Sequence, residues 1–114
     1  MYMSASELES LLLSYPECGM AAYTNLSEGD AEVVSNNDNI SEEDIEALIE
    51  ITDQTFSVLN VQSDLMVAMS GGILHISVRC HKRKPEYLLA ICDPSVDVDS
   101  LTEKMKQLVK TRNG

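Results

Sequence analysis

The sequence predicts an α+β fold whose elements follow the order α-β-β-α-β-β-β-α. Helical periodicity occurs near the start, in the middle and near the end of the 114 residues,. Five strand-like runs lie between these segments, and their short turns favour an antiparallel sheet. Several of the runs are apolar on both sides. Helices must therefore cover both faces of one five-stranded sheet.

The chain begins with a short helix and a hairpin. The helix has apolar side chains at the spacing of one helical face, namely Leu8, Leu11, Leu12 and Tyr15,. Ser4 and Glu7 have capping-box spacing, which predicts that both side chains accept N–H groups at the helix start. Strands are predicted at 19–26 and 31–37, with Gly29 supplying a positive φ in the turn between them,.

The longest helix is predicted over 42–60 and begins with a second capping-box pattern, Ser41 and Asp44,. One side of this helix is apolar at helical spacing: Ile45, Leu48, Ile49, Thr52, Phe56 and Leu59,. Ile51 and Val58 lie beside that stripe and widen it. A widened apolar surface is compatible with a second packing partner.

Two runs joined by Gly71-Gly72 predict a second hairpin,. The first run is apolar on both of its sides, which carry Leu65, Met66, Val67, Ala68 and Met69. The second run has an apolar side, with Leu74, Ile76 and Val78, and a polar side, with His75, Ser77, Arg79 and His81,. This polar stripe is either the solvated face of a half-covered sheet or an open platform on which a partner docks.

A strand and a helix complete the sequence. Residues 87–92 form a continuous apolar run, which predicts a central strand buried on both faces,. Asp97 or Asp99 then caps a last amphipathic helix. The apolar positions of this helix are Leu101, Met105, Leu108 and Val109.

Composition and charge narrow the class of protein. The length suits one domain spanning 1–114,. The net charge of -11 repels polyanions, so nucleic acid and anionic membranes are poor partners,. No apolar run approaches the roughly 20 residues that span a bilayer, so no direct membrane insertion is expected. The N-terminal residues lack the pattern of a secretion signal, which favours a cytoplasmic location.

Motifs for catalysis and metal binding are missing. Cys18, Cys80 and Cys92 show no CxxC spacing and are expected as free buried thiols,. Cys80 and His81 are strand neighbours that point to opposite faces, which disfavours a shared zinc ion. The sequence contains no phosphate-cradling loop, nucleophile elbow or HExxH motif,. We therefore expect no cofactor, no metal, no catalytic residue and no enzymatic activity.

Two segments resemble the roadblock (dynein light-chain roadblock) domains, in particular their prokaryotic and archaeal GTPase regulators. "ELESLLLSYPECGMAAYTNLSEGD", residues 7–30, is similar to the family's opening helix, first strand and turn. "YLLAICDPSVDVDSLTEKMKQL", residues 87–108, is similar to its apolar strand, DP-type turn and closing helix. The resemblance implies a three-layer sandwich: a five-stranded antiparallel sheet with the long second helix on one face and both terminal helices on the other.

The resemblance also implies a homodimer. Two roadblock domains pair through the third strand and the second helix, which makes one ten-stranded sheet. On this chain the implied interface residues are Leu65, Met66, Val67, Ala68, Met69, Ile45, Leu48, Ile49, Thr52 and Phe56. Pairing would remove the aggregation hazard of an apolar edge strand.

Three functions follow as hypotheses. The first is a non-enzymatic dimeric platform that binds, regulates or scaffolds a Ras-like small GTPase, as the resemblance implies for signalling. Nothing in the sequence aims Arg79 or Arg83 as an arginine finger. The second is an adaptor that pairs with a different roadblock-like chain in a motor or signalling complex. The third is a profilin-like or ligand-sensing α/β domain with a pocket near His75 or Cys80.

Overall fold

A computed structural model describes residues 3–35, 41–58, 64–81 and 84–112. Its elements follow the predicted order: α1 (Ala5–Ser14), β1 (Cys18–Asn25), β2 (Asp30–Ser35), α2 (Glu42–Val58), β3 (Leu65–Ser70), β4 (Ile73–Arg79), β5 (Glu86–Cys92) and α3 (Val98–Arg112). Parts of three predictions lie outside the described residues: 36–37 of the second strand, 59–60 of the long helix, and Arg83.

The five strands form one antiparallel sheet in the order β2-β1-β5-β4-β3. The apolar strand β5 lies at the centre, as its continuous apolar run predicts. Strands β2 and β3 are the two edges. The predicted fold class, an α+β sandwich around an antiparallel sheet, is confirmed.

Each face of the sheet has its own apolar core. Helices α1 and α3 cover one face, where Leu11 and Met105 belong to the same buried cluster as Leu88. Helix α2 covers the other face, where Phe56 packs in a cluster with Leu89. Residues 88 and 89 are adjacent on β5, so the two-residue repeat of a strand sends them to opposite cores. This alternation explains why the central strand is apolar throughout.

A register shift at the start of β1 places two cysteines opposite each other. Cys18 pairs with Cys92, whereas Met20 pairs with Ile91, so Gly19 is an extra residue on β1,. Cys18 and Cys92 form a disulfide across the two strands. The prediction of free thiols is therefore wrong for these two, because pairing between strands far apart in sequence leaves no mark in cysteine spacing.

The third cysteine matches the prediction. Cys80 is a buried thiol that forms no disulfide with a described residue. Burial is the main reason that its pKa rises to about 12, and the nearby Glu86 carboxylate raises it further,. The thiol is therefore protonated and unreactive at neutral pH.

The predicted N-terminal caps are confirmed for α2 and α3 and are wrong for α1. At α2, Ser41 Oγ accepts the Asp44 N–H at 3.2 Å, and Asp44 Oδ2 accepts the Ser41 N–H at 3.4 Å. At α3, Asp97 Oδ1 accepts the Ser100 N–H at 3.2 Å, so Asp97 is the cap. At α1 the predicted capping box is wrong, because the Ser4 hydroxyl donates to the Glu7 carboxylate instead.

Glycines with positive φ make the two tight hairpins. Gly29 has a φ of 72° in the β1–β2 turn, as predicted. Gly71 and Gly72 have φ values of 60° and 77°, the left-handed pair that a two-residue hairpin needs,. The β3–β4 turn therefore fixes the register that brings β3 to the edge of the sheet.

Candidate interaction surface

Strand β3 is an exposed edge. It pairs with β4 on one side, in the register that places Val67 opposite Ile76, and no other described strand lies beside it. An edge strand presents backbone N–H and C=O groups along its outer side. The edge position that the resemblance implied for residues 65–70 is thus present in the single chain.

Large apolar side chains are concentrated at this edge. The exposed fractions are 57% for Ile51, 44% for Val67, 61% for Met69 and 45% for Ile73. We call these four residues the β3-edge patch. Within the described parts of the chain, three other large apolar residues are exposed, and none of them is on α2, β3 or β4.

The β3-edge patch extends over both faces of the sheet. Val67 pairs with Ile76 and Met69 with Leu74, so these two share the face that α1 and α3 cover. Ile73 lies on the opposite face, towards α2. The edge therefore has exposed apolar side chains on both faces of the sheet, above and below the outward-facing backbone groups of β3.

A groove of about 650 Å³ lies between α2 and the outer strands on the α2 face. We call it the β3-side groove. Met66, Ala68 and Ile73 line it from the sheet, and Ala47 and Ile51 line it from α2. The groove exists because α2 covers the middle of the sheet and leaves the β3 flank open.

The predicted interface residues divide into three groups by burial. Val67, Ala68 and Met69 are exposed, and four residues are half-buried: Leu65, Met66, Ile45 and Ile49. Leu48, Thr52 and Phe56 are buried. These last three face the chain's own sheet, so their predicted helical stripe is an internal core stripe.

Contacts under α2 show what the buried stripe does. Thr52 Oγ1 lies 3.3 Å from Ser77 Oγ, and the Phe56 ring stacks on Tyr87 with centroids 5.5 Å apart. The Tyr87 hydroxyl donates to Asp53 Oδ1 at 2.7 Å. Burial and that hydrogen bond raise the pKa of Tyr87, so the phenol remains a donor. Together these contacts hold α2 on β4 and β5.

Sequence reasoning left Ile51 out of the interface list. It lies next to the core stripe, on the side of α2 that faces the β3-side groove. Its position in the sequence, just beside the apolar stripe of α2, was the feature that could have predicted a second apolar face. Among the large apolar side chains of α2 that the structure describes, Ile51 is the most exposed.

The predicted polar platform is not an open surface. Ser77 is fully buried beneath α2. Arg79 Nη2 lies 3.0 Å from Asp64 Oδ1, and the Arg79 guanidinium carbon lies 5.3 Å from the centre of the Phe56 ring. The prediction fails for these two residues because α2 covers the part of the sheet that carries them. An Arg79 held in this way is also unavailable as an arginine finger.

The two histidines of the stripe have different surroundings. His75 is half-buried and lines the β3-side groove, whereas His81 is exposed after the end of β4. Across the described residues, no group of three or more histidine, cysteine or acidic side chains is arranged to hold a metal ion. None of the helices in those segments is long and apolar enough to cross a bilayer.

Comparison with solved structures identifies the fold. The crystal structure of a Roadblock/LC7 domain from Streptomyces avermitilis aligns with a TM-score of 0.69 at 14% identity, over 96% of this chain and 94% of that one. MglC from Myxococcus xanthus aligns with a TM-score of 0.59 at 10% identity, over 93% and 92%. No protein-family model and no curated protein matches the sequence.

Proposed function

Because the chain has the Roadblock/LC7 fold, we propose that it is a non-enzymatic platform that pairs with a second copy and binds a Ras-like small GTPase. The observation that carries the pairing is the β3-edge patch beside an open strand edge. The GTPase partner rests on the resemblance to roadblock domains. Binding would serve regulation or scaffolding, with the chemistry done by the GTPase itself.

Pairing of β3 with the β3 strand of a second copy would cover both its outer backbone groups and the β3-edge patch. A two-fold pair joins the same strand of each copy, so outward-facing backbone groups of β3 bond across the axis and two five-stranded sheets become one. The β3-edge patch would be buried in both copies. Completing the burial of each half-exposed side chain contributes about 1 kcal/mol.

The surroundings of the edge also favour a protein partner with the same surface. None of the four residues of the β3-edge patch is charged, so burying these side chains desolvates no charge,. The β3-side groove beside them, at about 650 Å³, has room for side chains from a neighbouring helix. An isologous pair places the α2 helix of each copy next to that of the other.

The pairing is tested by the mass of Val67→Asp in solution. A carboxylate in the centre of an apolar interface is buried without a partner, so we expect this variant to be monomeric. Multi-angle light scattering gives the mass directly. Val33→Asp is the matched control, because Val33 is 36% exposed on β2, the opposite edge strand, and should leave the dimer intact.

Outcomes of this comparison separate the hypotheses. A dimer that survives Val67→Asp contradicts pairing through β3. A wild-type chain that is monomeric alone, but pairs when co-expressed with another roadblock-like chain, favours the heterodimeric adaptor.

The GTPase partner needs a separate experiment. Purified chain is mixed with each Ras-like GTPase of its source genome, loaded with GDP or with a non-hydrolysable GTP analogue, and analysed by size exclusion. We expect co-elution with one GTPase in one nucleotide state. If no GTPase forms a complex in either nucleotide state, the proposal that the chain binds a GTPase is wrong. The proposal that two copies pair through β3 is not affected by that result.

A further inference from the structure

Helix α2 leaves the opposite flank of the sheet open as well. A groove of about 370 Å³ lies between α2 and the β1–β2 hairpin, which we call the β2-side groove. Its apolar lining includes Leu26, Ala31 and Ile49. Leu26 is 41% exposed, so the groove has an apolar floor that is open to solvent.

The two flanks of α2 differ in charge. Towards β3 the helix presents Ala47, Leu48 and Ile51, with Asp44 in its first turn. Towards β2 it presents Glu46, Glu50 and Asp53, which have the i, i+4, i+7 spacing of one helical stripe,. The α2 wall of the β3-side groove thus carries one carboxylate, Asp44, at its N-terminal end, whereas that of the β2-side groove carries three along its length.

In the described parts of the chain, no lysine or arginine forms an ion pair with these carboxylates. All eight lysines and arginines lie at position 79 or beyond, while the first 78 residues contain 14 of the 19 acidic residues. Within the described residues Glu46, Glu50 and Asp53 form no ion pair. Lys84 lies in the β4–β5 turn, where Leu26 N–H donates to Pro85 O at 2.9 Å, and it forms no ion pair with another described residue.

Repulsion within the acidic wall destabilises α2 when no partner is bound. Like charges at i, i+4 on a helix destabilise it by roughly 0.2–0.5 kcal/mol per pair, and Glu46 and Glu50 have this spacing. Asp53 is fixed in place by the Tyr87 hydroxyl. A cationic partner would relieve this repulsion, and its apolar side chains would cover the floor.

We propose that the β2-side groove binds a short segment of a partner protein that is rich in lysine or arginine and inserts an apolar side chain over Leu26 and Ile49. Nucleic acid and anionic lipid have the wrong charge for this wall, so the occupant is a basic peptide segment. The inference does not depend on pairing through β3, because the two grooves lie on opposite flanks of α2.

The test uses a fluorescent peptide in which lysine and leucine alternate. Fluorescence anisotropy measures its binding to the full chain. The groove variant is Glu46→Gln with Glu50→Gln. Its matched control is Glu42→Gln with Glu43→Gln, which removes the same charge from the first turn of α2, outside the groove lining. Glutamine keeps the helix propensity of glutamate, so both variants should fold.

We expect the groove variant to weaken binding about fivefold or more, since each exposed charge pair contributes up to about 1 kcal/mol. The control should change it less than twofold. Leu26→Ser should also weaken binding, because it removes apolar floor. A peptide with glutamate in place of lysine should not bind.

Three results would overturn the proposal. They are no binding of the basic peptide, unchanged binding to the groove variant, or equal losses in groove and control variants, which would indicate general charge attraction. Val67→Asp should keep its affinity for the peptide, and the groove variant should keep the mass of the wild type. Failure of the pairing and failure of the groove are therefore distinguishable.

Discussion

At the scale of single residues, the structure gives internal roles to side chains that the sequence offered to a partner. Arg79 belongs to an alternating polar stripe, which is typical of a solvated strand face. The structure places it under α2, paired with Asp64 and next to the Phe56 ring. Alternation predicts which side of a strand a residue occupies, but not whether a helix covers that side.

Arg79→Ala should therefore lower stability. We expect the free energy of unfolding to fall by about 1 kcal/mol, because a part-buried ion pair and a cation–π contact are lost. Urea denaturation measures the change. Lys84→Ala, at an exposed site without an ion pair among the described residues, is the control and should have little effect. An Arg79→Ala chain as stable as the wild type would show that the pair is only a surface contact.

The buried thiol predicts how stability depends on alkaline pH. The pKa of Cys80 rises from a usual value of 9.0 to about 12 on folding. The stabilisation of the folded state by the protonated Cys80 thiol is fully present below pH 9. It decreases as the pH rises towards 12, because the unfolded chain loses the thiol proton at a lower pH than the folded chain does. Cys80→Ala should reduce the slope of unfolding free energy against pH in this range. Equal slopes in urea titrations of both proteins would contradict a perturbed thiol.

At the scale of elements, contacts between distant strands decide features that local patterns cannot show. Cys18 and Cys92 lie 74 residues apart in sequence and become neighbours because β1 pairs with β5. The bulge at Gly19 gives Cys18 and Ala21 the same face. Cysteine spacing alone contained no information about this pairing.

Cys92→Ser should destabilise the fold by about 4 kcal/mol, because a disulfide across this separation restricts the unfolded chain. Guanidinium denaturation in the absence of reductant measures the loss. Wild-type chain treated with a dithiol should approach the stability of the variant. Two titratable thiols at these positions in the purified, unreduced protein would contradict the disulfide and restore the original expectation.

At the scale of the whole molecule, the net charge opposes association of two copies. Pairing of two copies brings together two bodies that each carry a net charge of -11. Their repulsion opposes the pairing that the apolar edge favours.

Salt should therefore strengthen the proposed dimer. At about 0.15 M ionic strength the screening length is about 8 Å, and it increases as salt is removed. We expect the dissociation constant from sedimentation to fall as sodium chloride rises from about 0.02 to 0.5 M. A dimer that dissociates with added salt would instead depend on ion pairs and would contradict an apolar β3 interface.

The sequence by itself determined the order of the eight elements, the two-residue turn at Gly71-Gly72 and the two-sided apolar character of β5. These features follow from local periodicity and local backbone preference, which need no knowledge of the rest of the chain. Only the tertiary structure decided the Cys18–Cys92 disulfide, the covering of Ser77 by α2 and the two unlike grooves beside that helix. Their physical reason is the same: each depends on where one element packs across another, and that position is set by contacts between residues far apart in sequence.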